Sequence, residues 1–267
     1  MEKSNIDEKI KLLTGSGMWH TQEVEGLPSV HLSDGPHGLR KQEEKERQNN
    51  VSLVSTCYPT ASALACSWDV TAAERLGGAV AKEAWNADVA VLLGPGINMK
   101  RSPLCGRNFE YFSEDPFLAG RLGAAYVSAA QGEDVAVSLK HFAANNQETN
   151  RQTSNSQIDE RALREIYLSA FEYVVKTARP ATVMASYNRL NGYYACENRH
   201  LLTEILREEW GFDGVVISDW GACADLAKAV KAGMDLEMPD SHGIHARKLK
   251  AALKAGEISE EDIAKAA

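Results

Sequence analysis

Four stretches of this sequence are apolar almost without a break: Val89–Leu93, Val135–Leu139, Ala181–Ala185 and Val215–Ile217. Each is too short for a helix that could stand alone, and each is bounded on at least one side by a glycine, a proline or an acidic residue. A strand with water on one face alternates polar and apolar residues. A continuous run means both faces are covered, as in a parallel sheet packed under helices. Helical patterns do lie between the runs, over 71–86, 116–131, from about 159, and over 200–210, 222–232 and 244–255. Thr71 and Glu74 have capping-box spacing, Asp115-Pro116 marks a helix start, and Gly132, Gly211 and Gly256 mark helix ends. Further strands are expected at 29–35, 60–68 and 234–239.

Seven strands alternating with helices in 267 residues favour a (β/α)8 TIM-like barrel, incomplete or distorted because the eighth strand is not visible. An open doubly wound sheet is the alternative. The segment 40–50, "RKQEEKERQNN", is charged and reads as a solvated loop.

Composition narrows the function. A net charge of −8 argues against a nucleic-acid binder. No apolar run approaches a membrane span, and "MEKSNIDEKIKLL" lacks the apolar core of a signal peptide. Five cysteines without a CxxC spacing fit reduced thiols in a cytoplasmic protein and speak against a metal centre. No cofactor is implied: "GPG" at 94–96 lacks the rest of a dinucleotide fingerprint, and no phosphate-binding loop or GxSxG occurs.

The strand ends are where polar groups gather. Asp34, Lys140-His141, Tyr187-Asn188, Asp219-Trp220 and Glu237 all fall at the C-terminal ends of expected strands. In a parallel barrel those ends converge on one mouth. Acids, cations and an aromatic together suit polyol or carbonyl chemistry, since a hydroxyl both donates and accepts hydrogen bonds. Lys140 alone also leaves a Schiff-base aldolase open.

Five segments, "LSDGPHGLR" (32–40), "GPGINMKRSPLCGRNFEYFSEDP" (94–116), "SLKHFAANNQETNR" (138–151), "VMASYN" (183–188) and "GFDGVVISDWGA" (211–222), occur in an order and spacing that resemble the barrel domain of glycoside hydrolase family 3, the β-glucosidase and β-xylosidase group. The resemblance implies that Asp219 is the nucleophile and Trp220 the aromatic packing on the sugar. It implies that Asp34 holds hydroxyls across the ring, with Arg107, Lys140 and His141 as the surrounding cationic cluster. Arg151 and Tyr187 would support nucleophile and ring, and Met184 would line the pocket. Glu110, Asp115 and Glu148 read as structural. Neighbouring cations are expected to keep the Asp219 pKa low.

A retaining glycosidase needs a second carboxyl group as proton donor. In most members that donor comes from a second domain, an α/β sandwich expected to be absent from residues 1–267, which would end inside the last helix of the barrel. In some relatives that domain comes first. Glu237 is the one internal candidate. Members acting on N-acetylglucosamine resemble KHFPGHGD after the lysine. Here Lys140 is followed by His141-Phe142-Ala143-Ala144-Asn145-Asn146, without the His-Asp dyad, which favours a glucosidase or xylosidase. The chain alone is expected to hydrolyse β-glucosides weakly or not at all. A non-catalytic sugar-binding barrel and a homo-oligomer formed through an exposed apolar face remain open.

Overall fold

The structure, a computed structural model, describes residues 6–35, 37–42 and 51–267. Residues 43–50, most of the charged loop expected at 40–50, lie outside the described residues. Five parallel strands form the centre in the order Leu32–Asp34, Val91–Leu93, Ala136–Phe142, Thr182–Ala185 and Val215–Ser218. Spatial order follows chain order, as it does when each crossover helix feeds the next strand. Helices Val70–Asn86, Pro116–Gln131, Ser169–Ala178 and His200–Glu209 supply the crossovers. Asp69, Asp115 and Asp225 cap the starts of their helices by accepting backbone N–H bonds.

The five strands do not close by themselves. Leu236 bridges in parallel to Ile217, and Glu237 to Thr14. Gly15 pairs antiparallel with Thr21, and His20 antiparallel with His31, next to the first strand. The bonds Glu237 N–H to Leu13 O (2.9 Å), Ser16 N–H to His20 O (2.8 Å) and Leu32 N–H to Trp19 O (2.8 Å) carry the ladder around. The missing positions of the ring are thus two short N-terminal segments, paired with each other in the antiparallel sense. They have neither the length nor the apolar run that marks a strand in sequence.

Two expectations need correction. Residues 60–68 are not a strand: Ala61–Cys66 is helical, and the Thr60 hydroxyl accepts from Ala63 N–H. Three alanines and a leucine in "ASALAC" favour a helix once a cap is available. The helix expected over 222–232 begins only at Leu226, because Asp225 accepts from Ala227 and Lys228 N–H and so sets the start.

Strand alternation sorts the core. Leu32, Val91, Leu93, Met184, Ile217, Leu236 and Met238 pack together inside the ring. Leu92, Val137, Leu139, Val183 and Val216 face outward into the larger cluster under the helices. Full burial of each such side chain contributes roughly 1.5–3 kcal/mol. Because the period is two, Asp34 follows Leu32, and Asp219 follows Ile217, onto the inner face.

Close helix packing depends on Gly77. A Cβ there would sit 2.4 Å from the Tyr126 carbonyl oxygen on the neighbouring helix, whereas at Gly78 the nearest atom would be 3.7 Å away. Gly77→Ala is expected to lower unfolding free energy by about 1–3 kcal/mol despite the better helix former. Gly78→Ala should instead raise it by up to about 1 kcal/mol. Urea unfolding of the two variants checks the opposite signs.

Candidate active site

At the C-terminal mouth of the ring, Trp19, Asp34, Arg40, Arg107, Phe109, Glu110, Lys140, Arg151, Met184, Tyr187, Asp219 and Trp220 line a cavity of about 330 Å³. Of the residues that the family resemblance implied for the site, all but His141 reach its wall; of the other strand-end candidates, Asn188 and Glu237 do not. A larger cavity, about 530 Å³, lies at the opposite end around Gly214, Val215 and Gly233, away from these carboxylates.

Asp219 stands one residue beyond the strand Val215–Ser218 and is 6% exposed. Its Oδ1 accepts from Trp220 N–H at 2.7 Å, while Oδ2 is buried and accepts no hydrogen bond among the described residues. Arg107 Nη1 lies 3.7 Å from Oδ2, too far for a direct bond. Backbone hydrogen bonds fix the strand end: Asp219 N–H donates to Ala185 O at 2.8 Å, and Gly221 N–H to Met238 O at 2.9 Å.

Two cations, the buried Lys140 and the partly buried Arg107, serve three carboxylates. Lys140, 3% exposed, places Nζ 3.3 Å from Asp34 Oδ1 and 3.6 Å from Glu110 Oε2. Arg107 gives its Nε to Glu110 and its Nη2 to His141 Nε2 at 2.6 Å. Glu110, 5% exposed, therefore contacts both cations, whereas neither makes a direct hydrogen bond to Asp219. The expectation of a low Asp219 pKa is thereby corrected. Burial raises it, and this outweighs the lowering by Arg107, the Trp220 N–H and Lys140. Burial also opposes the charge on Lys140, but Asp34 and Glu110 win and raise its pKa. A Schiff-base nucleophile needs a neutral amine, so this lysine is set up for holding anions.

His141 is fully buried behind the cavity wall. The strand register shifts between Leu139 and Phe142, and this irregularity lets Lys140 and His141 both serve the site although they are adjacent. The Asn98 side chain clamps the His141 backbone, accepting from its N–H at 2.7 Å and donating to its carbonyl at 2.8 Å. Burial, then Arg107, Lys140 and Arg151, hold the imidazole well below its usual pKa. It is neutral, so its approach of 3.6 Å to Asp219 is not an ion pair. A guanidinium only donates, which makes Nε2 the acceptor and leaves Nδ1–H to donate to the Tyr111 hydroxyl at 3.0 Å. His141 is a spacer that orients Arg107, not a cation.

Tyr187 donates from its hydroxyl to Trp220 O at 3.0 Å, and its pKa is raised by burial and by the Asp219 charge. Arg151 stacks over the Tyr187 ring at 4.3 Å and donates to Glu148 at 2.9 Å. It supports Tyr187 and does not touch Asp219 through any hydrogen bond of the described residues. Met184, 1% exposed, forms part of the cavity floor. Trp220 meets Trp19 in a tilted pair with centroids 5.2 Å apart. Trp220 Nε1–H is tied to Met18 O at 2.8 Å, which fixes the ring. Asn188 is structural, donating to Ala143 O at 3.2 Å. Glu237 is absent from the lining and pairs with His245 and Ser241, which argues against it as a proton donor to the cavity.

Sequence reasoning missed Trp19, Arg40 and Phe109, and it read Glu110 as structural without placing it on the cavity wall. The i,i+3 spacing of Arg107 and Glu110 was the available signal for the last. Trp19 belongs to a ring segment that has no strand pattern, and so carried none.

A family model described as the glycosyl hydrolase family 3 N terminal domain matches residues 36–267. Thermostable beta-glucosidase B of Acetivibrio thermocellus is 53% identical over 264 residues, covering 97% of this chain and 35% of that protein. Exo-alpha-(1->6)-L-arabinopyranosidase of Bifidobacterium longum is 50% identical over 242 residues, covering 89% of this chain and 32% of that protein. Among solved structures, beta-glucosidase 3B from Thermotoga neapolitana in complex with glucose superposes with a TM-score of 0.93 at 40% identity. That superposition covers 98% of this chain and 40% of the other. The chain spans about a third of the length of the curated relatives it matches. With the barrel, its polar mouth and these matches in agreement, the chain belongs to glycoside hydrolase family 3 and corresponds to its N-terminal domain.

Proposed function

We propose that this chain is the sugar-binding, nucleophile-bearing part of a retaining exo-β-glycosidase that releases terminal β-D-glucosyl or xylosyl residues. The observation that carries the reading is the state of Asp219: a buried carboxylate on the cavity wall with one oxygen anchored and the other without a hydrogen bond. The unbonded Oδ2 attacks the anomeric carbon, the bond to the leaving oxygen breaks, and a glycosyl ester forms. Water then cleaves the ester and returns the carboxylate. Asp34, braced by Lys140, accepts from adjacent sugar hydroxyls on the far side of the cavity. The Trp19–Trp220 pair offers apolar faces to the sugar C–H groups. A cavity near the lower end of the size range for small-ligand sites suits one terminal sugar.

The leaving oxygen needs a proton. The other carboxyl groups lining the cavity, Asp34 and Glu110, are both engaged in ion pairs with Lys140 or Arg107, an arrangement that does not suit a proton donor. The acid is then supplied from outside residues 1–267, by a second domain in the same chain or a separate one. Unactivated glucosides are hydrolysed slowly or not at all by these residues alone.

A 2-deoxy-2-fluoro-glucosyl donor with a dinitrophenyl leaving group needs no acid for the first step, and so isolates the nucleophile. Mass spectrometry should find one sugar per chain, on the peptide containing Asp219, and none in Asp219→Ala. A label that persists in that variant refutes the assignment. Sugar binding by calorimetry without labelling would favour a non-catalytic binding barrel, and the matching xylosyl donor ranks the two sugars.

The labelling rate also has a pH signature. Asp219 reacts as the carboxylate, and burial raises its pKa, so a higher pH is needed to ionise it. The rate should fall as pH drops, with a midpoint above the ordinary aspartate value of about 3.9. A midpoint at or below that value would show that the cations dominate burial.

A further inference from the structure

Outside the sugar cavity, Cys223, Glu237 and His245 bring a sulfur, a carboxylate oxygen and an imidazole nitrogen within 4.8 Å of one another. The three come from separate parts of the fold. Cys223 is in the loop between Asp219 and the helix Leu226–Ala232. Glu237 is in the ring segment bonded to Leu13 and Gly15. His245 is in the first turn of the helix Ile244–Ala255. Cys223 and Glu237 are 5% and 3% exposed, and the His245 side chain 16%. Neither cysteine nor histidine has a part in the sugar site.

We infer that these three side chains form a binding site for one divalent transition cation of the zinc class, distinct from the sugar cavity. Three protein ligands of mixed S, O and N type, with a position left for water, make a set that Zn²⁺ accepts and that Mg²⁺ and Ca²⁺ do not favour. The charge balance agrees. A thiolate, a carboxylate and a neutral imidazole carry two negative charges, which a dication cancels. On binding, the Cys223 sulfur loses its proton to solvent and gives its electron pair to the metal.

The site would tie together what surrounds the reactive loop. Ser218 Oγ donates to Met238 O at 3.0 Å and accepts from Met238 N–H at 2.9 Å, next to Glu237. A cation on Cys223, Glu237 and His245 adds a cross-link from that segment to the loop after Asp219 and to the helix at His245. The sequence spacing of the three gives no metal motif, which is why an analysis of cysteine pairs overlooks them.

The test is a Co²⁺ titration of the 267-residue chain followed by absorption. The expected result is one equivalent per chain, a thiolate-to-cobalt charge-transfer band, displacement by Zn²⁺, and a raised melting temperature with Zn²⁺. The band should survive Cys57→Ser and Cys66→Ser, which remove the exposed thiols, and disappear in Cys223→Ser. His245→Gln, at a more accessible position, should weaken binding at least tenfold even if Cys223→Ser folds poorly. Absence of a band in the native chain, or a band and affinity unchanged in His245→Gln, overturns the site.

Discussion

Glu110 is a buried carboxylate that holds two cations, the partly buried Arg107 through Nε and the buried Lys140 at 3.6 Å. Taking an ammonium and a guanidinium out of water costs several kcal/mol each after relaxation, and removal of one partner from such a group typically costs about 3–5 kcal/mol. The rest of the mouth is arranged by how those two charges are shared. Lys140 reaches Asp34, Arg107 reaches His141, and Asp219 accepts from the Trp220 N–H while Arg107, at 3.7 Å, Lys140 and the Tyr187 hydroxyl act on its carboxylate less directly. A carboxylate starved of direct partners keeps an oxygen free for chemistry, and it is also harder to ionise.

The barrel places these groups with little freedom. Alternation along the strands turns Leu32, Ile217 and Met184 inward, and one further step of two residues puts Asp34 and Asp219 at the rim. The register shift after Leu139 breaks that rule once, where two consecutive residues, Lys140 and His141, are both needed. A neutral His141 between Tyr111 and Arg107 then aims the guanidinium without adding charge.

What could be read from the sequence followed from local signals. Apolar runs such as Val215–Ile217 located the central strands, and the cap at Asp115 is a single-residue effect. The motifs around Asp34, Lys140 and Asp219 placed most of the cavity wall. Closure of the ring was illegible, because Thr14, Gly15 and His20 pair through isolated bridges that need no apolar pattern. The helix at Ala61–Cys66 was misread because its cap, Thr60, also suits a strand. The Asp219 pKa went the other way because burial and the competing claim of Glu110 on Arg107 are tertiary facts. Trp19 reaches the cavity only through the tertiary path that brings it to Trp220.

The central claim is that Glu110 organises the cavity proposed to bind a sugar by holding Arg107 and Lys140. Calorimetry with glucono-lactone on the native chain and Glu110→Gln tests it most directly, with circular dichroism to verify folding. The account predicts that the folded variant loses affinity by at least tenfold, about 1.4 kcal/mol, because the cations shift toward Asp34 and Asp219. An affinity unchanged in a folded Glu110→Gln chain would contradict it.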